Sequence, residues 1–304
     1  MPSALAQNFT DTRPKNNALF KEDRIVIRDL NKTFTIKRNN SSEKKEFTAL
    51  TNVNLTVKSG EFLSIVGPSG CGKSTLLDLL AGLSKPDSGE IHIDDKLITG
   101  PALDRGIVLQ GYALFPWRTI RRNIEFGLEI KGIKKDGRKE ISDRFLKLVG
   151  LQGFEDRYPY ELSGGMKQRV AIARALAYDP EVLLMDEPFA AVDAQTREVM
   201  QDELLRIWEE TNKTIVFVTH SIEEAALLAD RVVVMSANPG TIKEIIDVDL
   251  PRPRRIGDVI NSVDFTWITN KIRGLLQNKN HSETLSIVGN NTNLAEEISP
   301  TANI

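Results

Sequence analysis

Two kinds of apolar run alternate along the chain. The first kind is β-branched and broken by polar turns, which predicts a small antiparallel sheet; its members lie at residues 24–30, 47–50, 53–57 and 90–94. The second kind is denser, is separated by helical stretches, and lies at residues 61–67, 106–110, 181–187, 214–220 and 231–236. Runs of this kind are typical of parallel strands buried on both faces. We therefore expect an α/β fold with a mostly parallel sheet core and an antiparallel β subdomain.

The pattern changes between about residues 118 and 160. Apolar residues recur there at helical spacing, at Ile141, Phe145, Leu148 and Val149, which predicts an inserted helical subdomain. Basic residues are abundant in the same stretch and include Arg118, Arg121, Arg122, Lys134, Lys135, Arg138 and Lys139. Such residues more often form a solvated helix surface than a ligand patch.

Both ends of the chain are polar. Residues 1–22 lack the apolar core of a signal peptide, so we expect a flexible extension there. The dense apolar pattern stops after "LPRPRR" (250–255), and residues 256–304 are expected to form one short helix, at "FTWITNKIRGLL", and a polar tail. The longest apolar runs are shorter than the roughly 20 residues of a membrane-spanning helix. A link to a membrane is therefore expected to come through a partner.

The charge balance disfavours nucleic acid as a partner. The 304 residues include 40 Lys and Arg against 42 Asp and Glu, a formal net charge of -2, whereas nucleic-acid-binding domains usually carry a basic excess. Cys71 is the single cysteine, so no intramolecular disulfide can form, which fits a reducing cytosol.

The stretch "GPSGCGKST" (67–75) has the spacing of a phosphate-binding loop. It follows an apolar strand and precedes a helical run, which is the context that the motif requires. Its glycines allow backbone N–H groups to surround phosphates, Lys73 is expected to reach the β- and γ-phosphates, and the Ser74 hydroxyl is expected to ligate Mg²⁺. The residues expected to contact the nucleotide are Gly67, Pro68, Ser69, Gly70, Cys71, Gly72, Lys73, Ser74 and Thr75.

Four polar residues end apolar strands. In "VLLMDE", Asp186 is a candidate Mg²⁺ ligand and Glu187 a candidate base for the attacking water. Gln110 ends another strand, where its amide could contact Mg²⁺ or the water, and His220 could hydrogen-bond a γ-phosphate. Each has a structural alternative, but ligands bind at the carboxyl ends of strands in doubly wound sheets.

A further stretch, "LSGGMKQR" (162–169), places serine and glycine at the expected start of a helix. With the motifs above and Asp193 of "AAVDA", the chain over residues 24–250 resembles the ATP-binding cassette (ABC) family of P-loop ATPases. The resemblance implies a nucleotide-binding domain at residues 23–255. It also implies that Ser163, Gly164 and Gly165 grip the γ-phosphate of ATP held by a second subunit, so that two subunits sandwich two ATPs.

Two positions depart from the commonest residues of the family. Phe34 in "NKTFTI" falls where the family places an aromatic residue that stacks on adenine, although tyrosine is commoner there; a core phenylalanine is the alternative. Met166 replaces the more frequent glutamine of the signature, a departure common among importers.

Residues 109–133 resemble the nitrate/sulfonate/taurine importer group, in which a pair such as Pro116-Trp117 is frequent. The resemblance implies that Leu114, Phe115 and Trp117 line a groove for a short cytoplasmic helix of a membrane subunit. Packing of Phe115 and Trp117 within the helical subdomain is the alternative. The tail after residue 255 is shorter than the regulatory domain of sugar-importer ATPases.

The resemblance implies an enzyme that hydrolyses ATP with Mg²⁺, lies peripherally on the cytoplasmic face of the inner membrane and energises uptake of a small anion. Nitrate, bicarbonate and aliphatic sulfonates such as taurine are the expected solutes. The expected partners are a second ATPase subunit, identical or related, transmembrane permease subunits and, indirectly, a substrate-binding protein. The alternative is a soluble ABC ATPase acting on ribosomes or DNA. A sensor that does not hydrolyse ATP is disfavoured, because Glu187 and His220 are both present.

Overall fold

The strands and helices follow the alternation of apolar runs. The computed structural model describes residues 22–37, 44–190 and 192–277, so most of the predicted N-terminal extension and polar tail lies outside it. In chain order the strands are β1 (Asp23–Lys37), β2 (Lys44–Lys58), β3 (Phe62–Val66), β4 (Ser88–Ile93), β5 (Lys96–Leu97), β6 (Arg105–Val108), β7 (Val182–Asp186), β8 (Thr214–Val218), β9 (Arg231–Ser236) and β10 (Thr241–Asp247). The helices are α1 (Lys73–Ala81), α2 (Ile120–Ile130), α3 (Lys135–Leu148), α4 (Gly164–Ala177), α5 (Ala194–Thr211), α6 (Ile222–Leu228), α7 (Ile256–Val259) and α8 (Val263–Gln277).

The larger sheet has the strand order β10-β9-β3-β8-β7-β6. The strands from β9 to β6 pair in parallel, at the positions that the dense apolar runs predict. β10 pairs antiparallel with β9 and was not predicted. It is an edge strand with mostly exposed or half-buried side chains, so its sequence lacks a dense apolar run.

The smaller sheet is antiparallel, with the order β2-β1-β4-β5, and confirms the predicted β subdomain. The runs at 47–50 and 53–57 form one strand, β2, rather than two. Asn52 between them adopts a left-handed conformation (φ 47°), which asparagine tolerates, and its N–H donates to Asn31 Oδ1 at 2.9 Å. The polar interruption is therefore a local irregularity within a continuous strand.

Two helices, α2 and α3, occupy the stretch predicted to be helical, and both pack against α4. Phe145 and Val149 are buried as their spacing suggests, while Ile141 and Leu148 are partly buried. The region lies between β6 and β7 in the chain. The loop after Gln110 precedes this region, and the signature stretch (162–169) follows it.

The predicted C-terminal helix is α8, and it belongs to the main core. Phe265, Ile268 and Ile272 are buried in the same apolar cluster as the sheet. Residues beyond 255 therefore contribute to the core, contrary to the prediction. They were not recognised because the buried residues of an amphipathic helix are spaced more widely along the chain than those of a buried strand. Across the ranges that the structure describes, no helix combines the length and apolar character required to cross a bilayer.

Candidate nucleotide-binding and catalytic site

The loop between β3 and α1 is tightly packed on one side and open on the other. Gly72 has φ 90°, and a Cβ there would lie 2.6 Å from Leu50 Cδ2 and 2.9 Å from the Ala49 carbonyl oxygen. A Cβ at Gly67 would lie 2.5 Å from the Cys71 sulfur. Gly70 also has a positive φ, but nothing lies within 4 Å of its Cβ position. Glycine thus permits a turn whose outer surface is open to a ligand.

Lys73 folds back over this loop. Its Nζ donates to the carbonyl oxygens of Gly67 at 2.9 Å and Pro68 at 3.2 Å, and the residue is only 8% exposed. In the part of the chain that the structure describes, Lys73 makes no salt bridge. A nearly buried ammonium whose hydrogen-bond partners are neutral, with Asp186 as a nearby acidic group, leaves room for an anionic ligand such as a phosphate, because buried charges normally require a counter-charge.

Asp186 and Ser74 meet beside the loop. The Ser74 hydroxyl donates to Asp186 Oδ1 at 3.4 Å. Burial raises the pKa of the Asp186 carboxyl, the Ser74 hydrogen bond opposes this shift, and the neighbouring Glu187 adds to it. A carboxylate and a hydroxyl side by side provide the hard oxygen ligands that Mg²⁺ prefers, so this pair fits the predicted metal position.

Glu187 and His220 come together at the ends of neighbouring strands. β7 and β8 are paired with Asp186 opposite Val218, and the Glu187 N–H donates to the Val218 carbonyl oxygen at 2.9 Å. Glu187 adopts φ 44°, and its Oε2 lies 3.3 Å from His220 Nδ1. The two candidate catalytic side chains therefore lie within hydrogen-bond distance of each other.

Gln110 lies just beyond β6 with an exposed side chain, and the described structure shows no hydrogen bond from it to Asp186 or Glu187. The backbone that follows is held by Arg174 of α4, which donates to the carbonyl oxygens of Tyr112 at 2.9 Å and Ala113 at 2.5 Å. This contact between the Gln110 segment and α4 was not predicted, because it depends on the packing of distant segments.

The signature stretch forms a capped helix start. Ser163 precedes α4, and its hydroxyl accepts a hydrogen bond from the Met166 N–H at 3.3 Å. Ser163 and Gly164 are exposed, whereas a Cβ at Gly165 would lie 2.9 Å from Thr196 Cγ2 of α5. Within the described residues, no hydrogen bond or salt bridge joins residues 163–165 to the phosphate loop. The exposed helix start presents backbone N–H groups suited to an anion.

Asp193 lies at the start of α5, which packs against α4. Its carboxylate accepts a hydrogen bond from the Thr196 N–H at 3.0 Å, and this bond lowers the pKa of Asp193. The residue is exposed. It therefore lies at the surface beside the helix that carries the signature.

Phe34 is 40% exposed, so the alternative of a core phenylalanine does not fit. It lies opposite Phe47 of β2, which is 39% exposed. Paired residues of antiparallel strands project from the same face of a sheet. The sequence alone does not indicate that Phe47 neighbours Phe34, because only the register of the two strands shows it.

An aromatic surface lies after Gln110. Trp117 is 73% exposed, and its ring centroid lies 5.8 Å from that of Phe115. Phe115 is partly buried against Phe126 of α2, at 4.6 Å between centroids. Asn123 fixes this loop by accepting a hydrogen bond from the Phe115 N–H and donating to the Phe115 carbonyl oxygen. Packing within the helical region thus accounts for Phe115 but not for Trp117.

Comparisons with known proteins identify the family of this chain. Residues 50–190 match the family model described as ABC transporter. An uncharacterized ABC transporter ATP-binding protein of Methanocaldococcus jannaschii is 53% identical over 269 residues, covering 87% of this chain and 97% of the relative. The nitrate import ATP-binding protein NrtD of Synechocystis is 46% identical over 268 residues, covering 86% of this chain and 98% of the relative.

A solved structure is also similar. It is a dimeric ATP-binding cassette in a post-hydrolysis state with ADP and Pi, with a TM-score of 0.64 and 34% sequence identity. The match covers 75% of this chain and all of that chain. The similarity therefore extends over three quarters of this chain and supports the P-loop ATPase fold.

Proposed function

Because this chain belongs to the ABC transporter family as an ATP-binding subunit and ABC-type ATPase, we propose that it energises uptake of a small anion through partner membrane subunits. The proposed solutes are nitrate, bicarbonate and aliphatic sulfonates such as taurine. The observation that carries the proposal is the 46% identity with a nitrate import ATP-binding protein along nearly the whole of that relative. The exposed Trp117 surface supports a partner bound beside the nucleotide site.

In the proposed site, Lys73 and the N–H groups of the loop hold the phosphates of ATP. Ser74, Asp186 and Gln110 would hold Mg²⁺, whose charge would help to stabilise the transferred phosphoryl group. Glu187 accepts a proton from the attacking water, whose oxygen bonds to the γ-phosphorus. The bond from that phosphorus to the bridging oxygen breaks, and ADP leaves. His220 is proposed to hydrogen-bond the γ-phosphate, and Phe34 to stack on adenine.

We propose that a second ATPase subunit completes each site. Ser163, Gly164 and Gly165 would contact the γ-phosphate held by the other subunit, with Asp193 at the same interface. The exposed helix start and the lack of any described bond to the chain's own phosphate loop support this arrangement. The similarity to a dimeric cassette supports it as well. Because one subunit alone lacks part of the site, the two subunits would pair before ATP is hydrolysed.

Leu114, Phe115 and Trp117 are proposed to receive a short cytoplasmic helix of the permease. This contact would place the chain peripherally on the cytoplasmic face of the inner membrane. A substrate-binding protein would act on the permease and reach this chain only indirectly. Trp117 suits such a contact because large exposed aromatic side chains contribute strongly to interfaces.

The test is transport in proteoliposomes containing this chain and its membrane subunits, with the substrate-binding protein added outside and ATP enclosed on the side of the ATPase. We expect accumulation of labelled nitrate, bicarbonate or taurine, and no accumulation with the Glu187→Gln variant. Uptake of none of the three, with the chain instead recovered on ribosomes or DNA, would contradict the proposal and favour the soluble alternative.

A further inference from the structure

A buried carboxylate lies behind the proposed catalytic histidine. Glu224 of α6 is only 7% exposed. Its Oε2 accepts a hydrogen bond from Thr219 Oγ1 at 2.5 Å, and Thr219 Oγ1 in turn accepts one from the Ser221 N–H at 3.0 Å. The residues on both sides of His220 are therefore fixed through one carboxylate.

The other oxygen of the same carboxylate faces α5. Glu224 Oε1 accepts a hydrogen bond from Gln201 Nε2 at 3.2 Å and lies 3.8 Å from Arg197 Nε. Arg197 Nη2 also donates to the carbonyl oxygen of Val192 at 3.0 Å. Val192 directly precedes Asp193. A path of hydrogen bonds with one 3.8 Å ion pair, between Arg197 and Glu224, thus runs from the segment before α5 to the turn that holds His220.

The chemistry of Glu224 is unusual for a residue with only a packing role. Burial raises the pKa of its carboxyl, whereas the Thr219 hydrogen bond and the Arg197 charge lower it. An ionised carboxylate in the interior is unfavourable unless it is paired, and an apolar side chain of similar size often serves packing equally well. The partners of Glu224 come from two segments of the proposed site, the turn around His220 and the start of α5. A rigid link between them can hold His220 in a defined position.

We propose that Glu224 is a positioning residue that couples the start of α5 to His220. This inference rests on the proposed function, in which Asp193 lies at the interface with the second subunit. When that subunit docks, it fixes the position of the Val192–Asp193 segment. Arg197 and Glu224 then fix the position of Thr219 relative to that segment. The path thereby fixes the position of His220 relative to the γ-phosphate once the second subunit has docked.

The test compares steady-state ATP hydrolysis by the full chain carrying Arg197→Met, Glu224→Ala, or both. We expect each single variant to lower kcat about tenfold with KM for ATP changed less than about twofold, because neither side chain contacts the nucleotide. The double variant should be no slower than the slower single variant, since both residues lie on one path. Glu224→Gln should recover part of kcat, because its amide oxygen can still accept from Thr219.

Gln201→Leu is the matched control. It removes a hydrogen bond to the same carboxylate but leaves the Arg197 to Val192 link, so kcat should stay within about twofold of wild type. In a second readout, Glu224→Ala combined with Glu187→Gln should still form the ATP-dependent dimer seen by size-exclusion chromatography for Glu187→Gln alone. If Glu224→Ala does not fold, as judged by its melting temperature, Thr219→Val breaks the same path and is measured in its place.

The outcomes separate the two proposals. A Glu187→Gln chain that stays monomeric with ATP would contradict the proposed sandwich. If that chain dimerises but the Arg197 and Glu224 effects on kcat multiply independently, or if Gln201→Leu is as slow as Glu224→Ala, the coupling path is wrong while the sandwich stands. Unchanged kcat in both single variants would also overturn the path.

Discussion

His220 Nδ1 lies 3.3 Å from Glu187 Oε2, across the ends of two adjacent parallel strands. Glu187 alone at a strand end would be one more half-buried carboxylate. With the imidazole beside it, the carboxylate has a partner that can orient it toward a water and that can itself contact a phosphate. The Lys73 ammonium and the Asp186 to Ser74 pair supply the remaining charges that an ATP site needs.

Replacing Glu187 by Gln should abolish nearly all ATP hydrolysis and retain ATP binding. The water loses its base, which is worth roughly 10²–10⁴-fold in rate, while Lys73, Ser74 and Asp186 still hold the nucleotide. Turnover is measured by phosphate release and binding by equilibrium dialysis. Glu198→Gln, at an exposed position of α5, is the control and should match wild type. Wild-type turnover in Glu187→Gln would remove Glu187 from the catalytic role.

The sequence predicts the parts of this site that depend on local patterns. The phosphate loop and the carboxylates at the end of β7 each lie within one contiguous stretch, and dense apolar runs mark the strands that carry them. Contacts that depend on strand register or on the packing of distant segments cannot be predicted from local patterns. Phe47 becomes a neighbour of Phe34 only when β1 and β2 are paired, and Glu224 meets Arg197 only when α6 lies against α5.

The sequence did not predict the edge strand β10 or the burial of α8 in the core, and the reason is related. Both use amphipathic segments with exposed positions, so their apolar content is diluted in the sequence. What identifies α8 as core is its environment, including the segment before it. Arg254 in that segment is 4% exposed, and a buried arginine gives no apolar signal at all.

Replacing Trp117 by Ala should weaken assembly with the membrane subunit and leave ATP affinity unchanged. Trp117 is 73% exposed, so the change opens no cavity, and loss of a central aromatic contact typically weakens an interface by about 2 kcal/mol, or roughly 30-fold. Trp267→Ala is the matched control, because Trp267 is 60% exposed on α8. Pull-down of the membrane subunit should fall for Trp117→Ala alone. An undiminished pull-down would contradict the role of Trp117 in docking.

Replacing Arg254 by Met should destabilise the fold by about 3 kcal/mol. Its guanidinium donates to the carbonyl oxygens of Leu227, Ala229, Val248 and Leu250. Burial lowers the pKa of Arg254 to about 10, so the group stays protonated at neutral pH, and its removal leaves buried carbonyl groups unpaired. Urea unfolding measures the loss.

Arg273→Met provides the comparison for Arg254→Met. Arg273 pairs with Glu223 at 3.2 Å, and both side chains are largely exposed, so its loss should cost less than about 1 kcal/mol. Equal unfolding midpoints for the two variants would mean that the carbonyl contacts of Arg254 contribute little to stability.

Mixing two inactive variants tests whether each ATP lies between Lys73 of one copy and Ser163 of another, assuming that the chain pairs with itself. Lys73→Ala and Ser163→Arg should each be inactive alone, because both sites of each homodimer then carry the same lesion. Ser163 is exposed, so the arginine should cost no more than the helix cap, about 1 kcal/mol. A heterodimer concentrates both lesions in one site and leaves the other with an intact loop and an intact signature.

Part of the hydrolysis should therefore return on mixing, with a maximum near equal amounts, where random pairing gives about half of the dimers as heterodimers. Size-exclusion chromatography with differently tagged copies confirms that the heterodimers form. Activity that stays absent at every ratio, although heterodimers are present, would exclude independent composite sites. Normal hydrolysis by Ser163→Arg alone would show that the signature helix start takes no part in binding ATP, and the exposed N–H groups of α4 would then need another ligand.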